Sequence, residues 1–85
     1  MENIIAVFGN RSHTMSFASN LRKFGAKNSI VDTPRELSVS CGVSVLFYRK
    51  NINQATYILS NSNYSSFVGL YLVYNDGPFK KYRRL

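Results

Sequence analysis

Hydrophobic residues recur along this chain with two different periods, and they divide it into six segments. Ile4-Ile5-Ala6-Val7-Phe8 is a continuous apolar run closed by Gly9-Asn10. Such a run predicts a central strand covered on both faces. Phe17, Leu21 and Phe24 follow at i, i+4 and i+7, which predicts a helix over 13–24. Ser12 is its candidate N-cap, since a hydroxyl there can accept from an amide one turn in. Lys23 falls in the last turn, where a cation meets the negative end of the helix dipole, and Gly25 supplies a left-handed C-terminal position. Ile30-Val31, within 27–32, predicts a short edge strand ended by Pro34, which has no amide to donate. Residues 34–37 suit one helical turn with proline first. Val43 to Tyr48 is β-branched and aromatic, a third strand. Ile52, Ala55, Ile58 and Leu59 form one stripe of a second helix over 52–60, capped by Asn51 or Asn53. Phe67 to Tyr74 is a last strand, closed by the turn residues Asn75-Asp76-Gly77-Pro78.

Strand, helix, strand, strand, helix, strand is the order of an α+β ferredoxin-like split βαβ sandwich. In that layout (βαββαβ) a four-stranded antiparallel sheet carries two helices on one face. The first and third strands are central neighbours, the second flanks the third, and the fourth flanks the first. The expected organisation is one domain over 1–75 followed by a basic C-terminal tail over 76–85. Strand alternation places Leu46, Tyr48, Phe67 and Tyr71 together on the face away from the helices.

Charge alters this picture at one place. The net charge is +7, but Lys80, Lys81, Arg83 and Arg84 lie in the last six residues. Without them, seven basic and four acidic residues leave the body at +3. A basic end suits nucleic acid or acidic partners, and it equally serves as a solubilising terminus. No apolar run approaches the roughly 20 residues of a membrane helix, and the N-terminus lacks a signal-peptide pattern. A single cysteine rules out an internal disulfide or a multi-cysteine zinc site and fits a reducing compartment, so the expected location is the cytoplasm.

That cysteine is the candidate chemical centre. In the expected layout, Cys41 immediately precedes the third strand and comes near Gly9 to His13, with the loop 61–66 approaching from the other side. Free amides at a helix N-terminus stabilise an anion, so a thiol there loses its proton more easily. Ser12, His13 and Arg35 are the candidate anion-stabilising side chains; Ser38, Ser40 and Gly42 add small donors and a permissive backbone. Against this stands the ordinary fate of a lone cysteine, a small buried hydrophobe. His13 has no second histidine to share a metal with, and its bland role is first-turn packing. Nothing marks a third orienting group or an oxyanion hole, so the expectation is a protein that is not an enzyme and needs neither cofactor nor metal. Two other readings stay open. The apolar sheet face could join two copies in a homodimer or, less favourably since the RRM signature is missing, bind nucleic acid. An anionic metabolite could bind at the same edge.

Thr33-Pro34-Arg35-Glu36-Leu37-Ser38-Val39-Ser40-Cys41-Gly42, read with Phe8-Gly9-Asn10-Arg11-Ser12-His13, resembles the selenium/sulfur carrier protein-like family of small bacterial proteins over residues 4–74. That family has a Pro-Arg-(acidic)-(apolar)-Ser-x-Ser-Cys-Gly core and a Ser/Thr-His pair opening its first helix. Arg11-Ser12-His13 follows the second pattern only in part. The resemblance implies a cytoplasmic protein that takes up sulfur or selenium on Cys41, with a donor protein such as a cysteine or selenocysteine lyase and a downstream acceptor.

Overall fold

A computed structural model describes residues 2–37 and 42–85. The strands are β1 (Asn3–Phe8), β2 (Asn28–Asp32), β3 (Val43–Tyr48), β4 (Phe67–Asp76) and β5 (Phe79–Arg84); the helices are α1 (Arg11–Lys23) and α2 (Ile52–Asn61). Short 3-10 turns, Arg35–Leu37 and Arg49–Asn51, precede β3 and α2. The architecture is α+β, with one five-stranded sheet in the order β2-β3-β1-β4-β5 and every neighbouring pair antiparallel. Among the first four strands the neighbours are those expected: β1 and β3 in the middle, β2 beside β3, β4 beside β1.

The strand count is a correction. Four strands were expected, and the basic residues assigned to a tail instead form the fifth. Gly77 and Pro78 make the two-residue connection of a β4–β5 hairpin, with Gly77 at φ +63°. A positive φ at the first position of a tight hairpin turn suits glycine, and the fixed φ of proline suits the second. Pairing runs from Asp76↔Phe79 to Tyr71↔Arg84, and the Leu85 amide extends it to the Leu70 carbonyl at 2.9 Å.

The core lies on one face of the sheet. Ile4, Ala6 and Phe8 of β1, Val45 and Phe47 of β3, and Leu70 and Leu72 of β4 join Phe17, Ala18 and Leu21 of α1 and Ala55 and Ile58 of α2 in one buried cluster. Both helices therefore cover the same face. Phe24 was expected on the α1 stripe but is half exposed. It sits at the C-cap, one residue before the left-handed Gly25, and meets Tyr57 of α2 edge-on at 5.6 Å. The N-cap is Asn10, two residues before the expected Ser12. Asn10 has extended backbone (φ −132°, ψ 126°), and its Oδ1 accepts from the amides of Ser12 at 2.7 Å and His13 at 3.3 Å. A serine and an asparagine cap equally well, and the chain turns helical at the earlier one.

Of the four residues expected to share the opposite face, three do and Phe67 does not; Tyr48 lies there, level with Asn3. Leu46 and Tyr71 lie there, each paired with Ile5. Phe67 lies on the helix side, because the β1–β4 register shifts between Val7 and Phe8. One surplus residue reverses the alternation beyond it. Phe67 thus meets the Phe8 ring at 5.4 Å. On the helix-free face Val7 and Ser44 are fully buried, and Thr33 Oγ1 lies 2.7 Å from Ser44 Oγ. From the turn after β2, Glu36 reaches electrostatically as far as Tyr82 of β5 on the far edge of the sheet.

Candidate functional site

Three segments meet where β1 ends. The β1 strand delivers Gly9 and Asn10, α1 starts at Arg11, and β4 arrives from the loop 62–66. The Gly9 amide donates to the Ser66 carbonyl at 2.8 Å, so the loop is joined to β1 by backbone. The side chains follow: His13 Nδ1 lies 2.6 Å from Ser66 Oγ. Tyr64 packs edge-on against the His13 ring at 5.5 Å, and its hydroxyl sits 3.0 Å from Ser16 Oγ and accepts from Asn20 Nδ2 at 2.9 Å. The approach of the 61–66 loop to the start of α1, expected from the chain order, is present.

The start of β3 comes to the same end. The register pairs Val7 with Ser44, so Gly42, just before β3, lies toward the end of the sheet where Gly9 follows β1. Gly42 adopts φ +79°, which only glycine takes without strain, and its carbonyl accepts from the Thr33 amide at 2.9 Å. Cys41, Ser40 and Ser38 lie outside the described residues. Arg35 opens its 3-10 turn and is exposed; among the described residues the ion pair is Arg49 with Glu2, at 2.7 Å on the surface.

Two consequences concern the electrostatics. No acidic residue occupies the first turn of α1, so its positive end is not neutralised locally. The amides of Ser12 and His13 are already engaged by Asn10, however, so the helix offers its dipole field at those positions and not free donors. His13 is half-buried, with one ring nitrogen held by Ser66 and the other not engaged by that serine. Such an arrangement can donate a hydrogen bond to an anion while the ring's orientation stays fixed. Among the described residues no group of three or more histidine, cysteine, aspartate or glutamate side chains could hold a metal ion. No helix there is long and apolar enough to cross a membrane.

Sequence reasoning located His13 and the approaching loop but missed Asn10, Tyr64 and Ser66. The signal for Asn10 was its place directly after Gly9, at the end of an apolar run. Tyr64 offered only an aromatic in a turn-rich stretch. Ser66 offered no local signal, since its partner lies 53 residues away.

No curated protein and no solved structure matches the chain significantly. A family model described as "Putative Se/S carrier protein-like" matches residues 3–67, a stretch that holds β1, both helices, β3, Cys41 and the whole His13–Ser66 contact. By that match over most of its length, the chain belongs to the Se/S carrier protein-like family.

Proposed function

We propose that this protein carries a sulfur or selenium atom on Cys41, as a shuttle between a donor and an acceptor protein and not as an enzyme. The family match spanning Cys41 carries the reading. The convergence of Gly9, His13, Ser66 and Gly42 at one end of the sheet supports it, because Gly42 is the next residue after that cysteine. In this reading the first four strands and two helices are a ferredoxin-like split βαβ unit, with β5 added at the edge beyond β4. A cytoplasmic setting keeps the thiol reduced.

The transfer conserves electrons. The Cys41 thiolate attacks the outer sulfur of a donor persulfide. A new sulfur–sulfur bond forms, the donor's own breaks, and its electron pair leaves with the donor thiolate. With selenium the broken and formed bonds are sulfur–selenium bonds, and nothing is oxidised or reduced overall. His13, oriented by Ser66, and the positive end of α1 favour the thiolate, and Arg35 adds charge; Ser12, Ser40 and Gly42 supply small donors around the cargo.

The test is intact-mass measurement after incubation with inorganic polysulfide. The expected result is a gain of one sulfur atom in the native chain and none in Cys41→Ser. No adduct, or an equal adduct in the serine variant, overturns the reading. An alkylation rate that titrates at or above the free-cysteine value of about 8.5 also counts against it.

A further inference from the structure

We infer that the helix-side face of the β4–β5 hairpin binds single-stranded nucleic acid. β5 reads Phe-Lys-Lys-Tyr-Arg-Arg, and it is a paired strand, so its four cations occupy fixed and alternating positions. Alternation puts Lys81 and Arg83 on the side of Leu72 and Tyr74, and Lys80 and Arg84 on the other. Arg84 is partly committed, 5.9 Å from the centre of the Tyr71 ring and against Gly69. Lys81 and Arg83 thus line up on one face, with the outer backbone edge of β5 beside them.

The aromatic residues on that face decide the partner. Tyr74 pairs directly with Lys81, and Phe79 lies two residues before it on the same side. Tyr74 is 42% exposed and Phe79 is 66% exposed. Among the described residues neither ring stacks on another, whereas the exposed rings of Phe24 and Tyr57 contact each other. Two bare rings beside two cations, repeating along a strand, form a platform on which bases stack while the cations meet phosphates. An acidic polypeptide would use the cations and leave the rings idle. A second copy is disfavoured, because two β5 edges side by side would bring four cations against four. Asp76, opposite Phe79 at the turn, is the acid in the hairpin, and it marks the end of the platform.

This surface is independent of Cys41. The test is fluorescence anisotropy of the full chain with a labelled single-stranded RNA of mixed sequence across a salt series. The native chain is expected to bind, with affinity falling as salt rises. Lys81→Ala with Arg83→Ala should lessen the log–log salt slope by about 0.7 for each cation removed. Tyr74→Leu with Phe79→Leu should weaken binding by about thirtyfold or more with the slope unchanged. Cys41→Ser should bind as the native chain does, which separates failure here from failure of the carrier reading. Binding that survives loss of both rings, or RNA displaced by polyglutamate at equal charge, overturns the inference in favour of a purely acidic partner. No binding at low salt overturns it outright.

Discussion

The end of the sheet at His13 and the β4–β5 hairpin are held by different forces. At the first, Phe8 is fully buried and touches three rings: Phe17 at 5.3 Å, Tyr64 at 5.4 Å and Phe67 at 5.4 Å. Those rings come from α1, β4 and the loop before it, so the His13–Ser66 contact rests on interlocked side chains. At the second, β4 is anchored in the core by Leu70 and Leu72, while β5, with its exposed Lys, Arg and Phe side chains, is held mainly by backbone hydrogen bonds and one cation–ring contact. The first region is preorganised by packing. The second can be altered in its side chains at little cost to the fold.

Breaking the packed region should give the largest effect. Phe17→Ala empties a fully buried site and should cost about 3–5 kcal/mol in urea unfolding. A loss below about 1 kcal/mol would mean that the rings do not hold this end together. An intermediate effect is expected at the hairpin turn. Gly77→Ala places a side chain at φ +63° and should cost about 1–2 kcal/mol, with the NMR signals of His13 unmoved. Shifted His13 signals would show that the two regions are coupled after all.

The smallest effect is electrostatic. Burial first, and the Glu36 carboxylate second, raise the pKa of Tyr82 above its ordinary 10.0. The folded chain then keeps the phenol proton at a pH where the unfolded chain has lost it. Its contribution to stability is full below about pH 10 and is lost as pH climbs through the raised value. Denaturant melts on either side of pH 10 should show a small decline, reduced in Glu36→Gln. A rise in stability over that window would reverse the assigned cause.

The two regions also differed in how far the chain revealed them. Both helices and four strands were legible because their apolar residues repeat at 3.6 or 2 positions. The fifth strand was not, since four of its six residues are charged and lysine and arginine at a chain end suggest a solvated terminus. Its clue was the Gly77-Pro78 pair, weak beside the charge. His13 was placed by chain order alone. Its serine partner was not, because that contact depends on tertiary register, which no local pattern encodes. The expected homes of Cys41, Ser38 and Ser40 fall outside the described residues.

Val68, the spare residue opposite the junction of Val7 and Phe8, has an effect beyond the ring it turns over. Counted straight from Val7↔Gly69, the partner of Gly9 would have been Phe67; with one position absorbed, the carbonyl that meets Gly9 belongs to Ser66. An unbulged ladder that kept this valine paired would slide the hydroxyl out of step with the imidazole while leaving every residue named in the cysteine motif untouched, whereas deleting the valine would straighten the ladder and keep Ser66 opposite Gly9. A histidine's posture at one end of the molecule is thus governed by how many links the opposing strand spends getting there.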